Sequence, residues 1–213
     1  MVLPLLERCS GYGNGVQLHK ADVVEAAAAL LDAYGIADLT MRRLARELDV
    51  SAGALYWHFP HKQALLGAVA DRILQGVDDA PGDWHDRIGE LGVRLRDALL
   101  SHTDGAELVS ASFAAGESAA MARIVSHLAD GAAEAGLAGE HAEVAARTIV
   151  YYVLGFTADE QSRLQWDAAG ALADGQSVLT TDPTARFAFG LRLLVDGIAH
   201  ASAEIDVLTT KFE

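Results

Sequence analysis

Apolar residues along this chain recur at three- and four-residue spacing and strict alternation is scarce, so the pattern predicts helices throughout. The first covers 19–34, with Val23, Val24, Ala27, Leu30 and Leu31 on one stripe and Gly35 just past its end. A short helix follows from Met41 to Leu48, with Leu44, Ala45 and Leu48 on one face. Thr40 has the chemistry of its N-cap, and Leu39 and Leu44 hold the two positions of a hydrophobic staple. Asp49-Val50-Ser51 makes a turn, and Ser51 caps a second short helix, Ala52 to His58. Val50 and Leu55 repeat the staple, and Pro60 ends the helix by disfavouring helical geometry at Phe59. Two stapled helices across a three-residue turn have the form of a helix-turn-helix.

Lys62 starts a longer helix, predicted over 62–79, with Leu65, Leu66, Val69, Ile73 and Leu74 inward. Asp78-Asp79-Ala80-Pro81-Gly82-Asp83 is the clearest break, and Asp83 can cap the helix after it. Further helices are expected at about 84–102, 106–113, 118–135 and 140–164, with a turn over Gly136–Gly139. A looser stretch, 167–182, precedes a last helix from Pro183 to about Val207, capped by Asp182. The fold class is therefore all-α: a three-helix head with a helix-turn-helix, followed by a larger helical part. The first 18 residues read as a mobile arm, because the glycines Gly11, Gly13 and Gly15 follow no strand.

Charge first argues against a nucleic-acid partner, since the formal net charge is −14. Its distribution changes the picture. Residues 19–65 carry five Lys/Arg against six Asp/Glu, whereas residues 66–213 carry ten against twenty-three. Arg42, Arg43, Arg46 and Lys62 gather in the helix-turn-helix. A local cationic patch governs phosphate binding within a Debye length of about 8–10 Å, and the acidic remainder limits non-specific sticking.

One cysteine, Cys9, leaves no intramolecular disulfide and no multi-cysteine zinc site, which fits a reducing cytoplasm. No signal peptide and no run of membrane-spanning length is visible. Enzyme signatures are missing: there is no pair of Glu-x-x-His motifs, no G-x-S-x-G elbow and no phosphate loop with lysine. Asp196 and His200, at i,i+4, read as a surface pair rather than a metal site. No enzyme activity, cofactor or metal is expected.

The segment TMRRLARELDVSAGALYWHFPHKQALL resembles the TetR family of bacterial transcriptional regulators. RDALLSHTDGAEL, YYVLGFTADEQ and ARFAFGLRLLVDGI resemble core segments of its tetracycline-repressor branch, in the right order. The resemblance covers about 19–200. It implies an N-terminal arm (1–18), a DNA-binding head (19–65) and a ligand-binding and dimerisation domain (66–213), joined by the helix 62–79. It also implies a homodimer on a two-fold symmetric double-stranded operator, with Ala52–His58 in the major groove. Position by position, Arg42 would read a base, since its guanidinium can pair with guanine O6 and N7. Tyr56 and His58 would touch phosphate or base edges, and Thr40 and Lys62 phosphate. Trp57 would touch the DNA backbone or pack internally, and Leu55 and Phe59 would be core.

Two departures from the branch matter. Larger polar residues usually open the recognition helix, but here stand Ala52, Gly53 and Ala54, with only the Ala54 methyl suited to a thymine methyl. Arg42 and DNA shape would then carry much of the specificity. In the implied ligand cavity, Val109 occupies the place of the metal-ligating histidine. Leu74, Leu91 and Leu95 fall on further polar positions, Ser112 and Phe113 on a Thr and an Arg, and Asp159 on an acid. Such a pocket does not suit a magnesium–tetracycline chelate. An apolar, aromatic or polycyclic effector with one or two polar handles fits better, with Leu91, Leu95, Val109, Phe113, Tyr151 and Asp159 as its candidate contacts. The stripes Val144, Thr148, Tyr152 and Phe187, Leu191, Leu194, Ile198 suit the dimer interface, though burial within one chain would give the same pattern. The remaining alternative is a helical small-molecule-binding module without sequence-specific DNA binding.

Overall fold

The computed structural model describes residues 18–78, 80–171 and 182–210, with side chains through 202 in the last segment. The N-terminal arm and most of the looser stretch before the last helix lie outside the described residues. Among them run α1 (Lys20–Tyr34), α2 (Met41–Glu47), α3 (Ala52–His58), α4 (Lys62–Ile73), α5 (Trp84–Leu100), α6 (Gly105–Ala115), α7 (Ala119–Glu134), α8 (Glu140–Ala168) and α9 (Pro183–Thr210). A single 3₁₀ turn, Ile36–Asp38, joins α1 to α2. No strand is present among the described residues.

Local chemistry sets most helix starts. Thr40, Ser51, Asp83 and Ser118 each accept a backbone N–H of the first turn with a side-chain oxygen. Asp182 does the same for the N–H of Ala185, at 3.0 Å. His61 caps α4 with its ring Nδ1, which accepts the N–H of Ala64 at 3.1 Å. Each cap satisfies a donor that the helix cannot satisfy itself.

The predicted linking helix 62–79 is too long. It stops at Ile73, the chain turns through Leu74, Gln75 and Gly76, and Gly76 sits at φ +89°. Val77 and Ala80 are then drawn into the interior, which a continuing helix would not allow. Elsewhere the helix ends move by a few residues in both directions: α5 stops at Leu100, short of the expected 102, whereas α6 gains residues at both termini, α8 continues to Ala168 and α9 to Thr210.

Head and body share one contiguous core. Leu31, Leu39, Leu44, Leu48, Leu55 and Phe59 close the head. Leu91, Leu95, Leu99, Val109, Ile124, Ile149 and Phe187 lie in the interior of the body. Polar links reinforce this joint: Arg72 on α4 forks onto Glu25 of α1. Asp32 of α1 accepts the N–H of Thr103 and contacts the His102 ring, each at 3.1 Å. Asp104, in the left-handed region at φ 52°, accepts the N–H of Ile36 at 2.9 Å.

The α4 helix is fastened to the body at the α6–α7 turn. Gly67 lies so near the Glu117 backbone that a Cβ there would overlap it. One turn on, the Asp71 carboxylate accepts from the Ser118 hydroxyl at 2.7 Å and from the Ala120 N–H at 2.8 Å.

Deeper in the body, Arg96 of α5 and Glu160 of α8 form a buried two-point pair at 3.0 and 2.7 Å. The guanidinium also lies 5.0 Å from the Phe187 ring. Tyr152 stacks on that ring, and its hydroxyl donates to the Phe187 carbonyl at 2.9 Å. Burial pushes the Tyr152 phenol above its ordinary pKa, and the Arg96 charge pulls it part of the way back.

These contacts correct the expected interface stripes. Phe187, Leu191 and Ile198 are buried within this chain, and Tyr152 is half-buried against Phe187. The large apolar residues left exposed on these helices, among the described residues, are Val144, Tyr151, Leu164 and Trp166 on α8 and Phe189 and Leu193 on α9. The exposed apolar face of α9 is thus not the stripe expected to pair. Asp196, read from sequence as part of a surface pair with His200, bonds His85 of α5 at 3.1 Å.

Candidate nucleic-acid interface and effector core

The helix-turn-helix is closed by its own backbone. The N–H of Val50 bonds the carbonyl of Ala45 and that of Asp49 the carbonyl of Arg46, at 2.9 and 3.2 Å. This is the two-bond helix ending that usually holds glycine; here Asp49 takes the left-handed place at φ 52°. The turn sets α3 across α2. Leu55 and Phe59 are buried beneath α3, so its remaining side chains face outward.

On that outer surface Thr40, Arg42, Gly53, Tyr56 and Trp57 are exposed. Ala52, Ala54, His58 and Lys62 are half-buried. Of the DNA-contact candidates, Thr40, Arg42 and Ala52 line one concavity. Trp57 is 90% exposed, so it is not packed internally among the described residues. An indole left in water on a helix flanked by cations marks a contact surface. Thr40 uses an oxygen lone pair to accept the Arg43 N–H at 3.1 Å, which leaves its hydroxyl proton to donate outward.

The three arginines of α2 divide by role. Arg43 is neutralised in place: it pairs with Asp38 at 2.5 Å and lies 3.8 Å from the centre of the Tyr34 ring. Arg42 and Arg46 have no carboxylate partner among the described residues. They line a concavity of about 540 Å³ together with Thr40, Ala45, Val50 and Ala52. Arg46 was missing from the contact residues expected from sequence, although its i,i+4 spacing from Arg42 was there to be read.

The effector candidates do not form one cluster. Leu91, Leu95 and Val109 are buried in the body. Phe113 is half-buried and meets Tyr151, with ring centroids 6.2 Å apart, and Arg147 lies 5.6 Å from the Phe113 ring centre. Tyr151 and Asp159 are exposed, on a stripe of α8 that also carries Val144, Thr148, Gly155, Ser162 and Trp166. Between the two groups on α6 sits Ser112, which is buried and whose hydroxyl has no hydrogen-bond partner among the described residues. Buried hydroxyls are normally satisfied, so this atom stands apart from the other buried polar groups among the described residues. Among the described residues, no group of His, Cys, Asp and Glu is placed to hold a metal ion. No helix among them is long and apolar enough to cross a membrane.

Two family models match the chain. The model of bacterial regulatory proteins of the tetR family covers residues 23–69, and that of the tetracyclin repressor-like C-terminal domain covers 77–172. The tetracycline repressor protein class A from transposon 1721 of Escherichia coli is 31% identical over 203 residues, spanning 86% of this chain and 91% of that protein. The crystal structure of BioQ from Mycobacterium smegmatis matches with a TM-score of 0.80 and 60% identity, over 86% of this chain and 99% of that one. BioQ with its double-stranded DNA operator matches with a TM-score of 0.75 and 58% identity, over the same shares. Head and body are matched together, and the protein belongs to the TetR family of bacterial regulatory proteins.

Proposed function

We propose that this protein is a cytoplasmic, ligand-responsive transcriptional repressor that binds a two-fold symmetric DNA operator as a homodimer and leaves it when a small effector binds. The single observation that carries the reading is the outer face of the helix-turn-helix. There, Arg42 and Arg46, with no carboxylate partner among the described residues, line one concavity, and Trp57 of the neighbouring α3 is 90% exposed, on a net-acidic chain. A stand-alone ligand-binding module has no use for that face. The family membership and the likeness to an operator-bound relative support the same conclusion.

In this reading residues 19–65 form the DNA-binding head and 66–213 the effector and dimer domain. Arg42 is the base-reading candidate. Thr40, Tyr56, Trp57, His58 and Lys62 supply backbone and edge contacts, and Ala52, Gly53 and Ala54 allow close approach to the groove. The homodimer forms through the exposed residues Val144 and Tyr151 of α8 and Phe189 and Leu193 of α9, beside a groove lined by His141, Thr148 and Leu194. The effector is largely apolar: Leu91, Leu95, Val109 and Phe113 meet its body and the Ser112 hydroxyl its polar handle. Tyr151 and Asp159, being exposed, take part where the partner subunit closes the site. Binding favours the dimer state whose heads fit the operator less well.

Nuclease footprinting on the DNA upstream of the coding sequence tests the reading. The expected result is protection of two half-sites on one face of the duplex, about one helical turn or slightly more apart. A single unpaired patch, or uniform protection at high protein concentration, speaks against a dimeric operator binder.

A further inference from the structure

The first turn of α3 offers almost no side-chain hydrogen bonding. Ala52 and Ala54 are half-buried, Gly53 is exposed, and a Cβ added to Gly53 would meet only the Ser51 hydroxyl, at 3.7 Å. A recognition helix this smooth can lie deep in a groove. Whatever flanks it is then carried toward the base edges instead of stopping at the phosphates.

What flanks it is the concavity lined by Arg42, Arg46 and Ala52. Arg42 and Arg46 stand one turn apart on the outer face of α2, both exposed, with no carboxylate partner among the described residues. The neighbouring acids Glu47 and Asp49 are exposed and pair with neither. Two like charges at this spacing disfavour a helix, and α2 is only seven residues long. Arg43, lying between them in sequence, has its charge absorbed by Asp38 and Tyr34. The head thus compensates one guanidinium internally and leaves two side by side.

Resting on the operator-binding reading, we propose that Arg46 is a second specificity-determining residue, and that with Arg42 it reads two guanines of each half-site. The spacing supports this. Four residues of α-helix rise about 6 Å, close to two base-pair steps of about 3.4 Å each. Two guanidinium forks at that separation match O6 and N7 of guanines that have one base pair between them.

Operator selection from a random duplex library, by wild type, Arg46→Ala and Arg46→Lys, tests the assignment. Wild type is expected to select half-sites with two guanines one base pair apart, and Arg46→Ala to lose the preference at one of them. Replacing that guanine by 7-deazaguanine, which lacks the N7 acceptor, should cost wild type about 5- to 150-fold and leave Arg46→Ala unchanged. Arg46→Lys keeps the charge but not the fork, so it should recover affinity in part without recovering the base preference. Two results overturn the proposal. In one, Arg46→Ala selects the same motif with uniformly lower affinity and a salt slope shallower by about one unit, the signature of a phosphate contact. In the other, Arg46→Ala is indistinguishable from wild type. Selection of no motif by wild type is a different failure, and it removes the operator-binding reading itself.

Discussion

Arg96 and Glu160 show what a single pair of residues does in this fold. Both side chains are almost wholly buried, at 5% and 6% exposure, so neither charge is solvated in the folded state. Their two-point contact ties α5 to α8, and Arg96 reaches Thr184 of α9 at 3.4 Å. Removing one partner leaves a bare buried charge, which costs about 3–5 kcal/mol. Glu160→Gln is therefore expected to lower the melting temperature by about 6–20 °C, since each kcal/mol shifts a domain of this size by roughly 2–4 °C. Replacing both residues together, by methionine and leucine, should cost far less. A single variant that melts with wild type would show that the pair is better hydrated than its burial implies. Nothing in the sequence announced this pair, because its members lie 64 residues apart and meet only after α8 packs on α5. Ser112 was legible only through the family resemblance, which set it on a cavity threonine position; that its hydroxyl is buried without a partner among the described residues emerges only from the packing.

At the scale of elements, legibility followed the range of the chemistry. Thr40, Ser51 and Asp83 were readable as caps because a cap acts within three residues of itself. The end of α4 was not readable, because it depends on Val77 and Ala80 finding the core. The phase of α9 failed for another reason. Phe187, Phe189, Leu191, Leu193 and Leu194 put apolar side chains on more than one face, so periodicity alone cannot say which face turns inward. One element carries a direct prediction. Asp49 holds the left-handed position that ends α2, a conformation that costs an ordinary residue about 1–2 kcal/mol and aspartate rather less. Asp49→Gly should stabilise the head by up to about 1 kcal/mol, seen as a melting rise of roughly 2–4 °C. A fall in melting temperature would mean that the Asp49 carboxylate itself holds the turn.

For the whole molecule, the head is not an independent bead on a string. It shares a core with the body, its α1 is held by Thr103 and Arg72, and the turn after α1 is held by Asp104. A change around α6 therefore has a physical path to the heads through Glu117, Gly67 and α4. The dimer face supplies the other half of the argument, because a two-fold operator needs two heads at fixed separation. Leu193→Glu places a charge on the exposed apolar face of α9, and 56% exposure in this chain means that its own fold tolerates it. Light scattering should find this variant monomeric, with operator affinity reduced by tenfold or more (about 1.4 kcal/mol). A dimeric Leu193→Glu variant would move the interface elsewhere.

The central claim is that the outer face of the helix-turn-helix reads DNA sequence, and fluorescence anisotropy tests it most directly. Labelled duplex from upstream of the coding sequence would be titrated with wild type and with Arg42→Ala, at two salt concentrations and with random duplex as competitor. The account predicts tight, competitor-resistant binding by wild type and a loss of about 5- to 150-fold in the variant. Weak binding that vanishes with salt and is indifferent to Arg42 would contradict it.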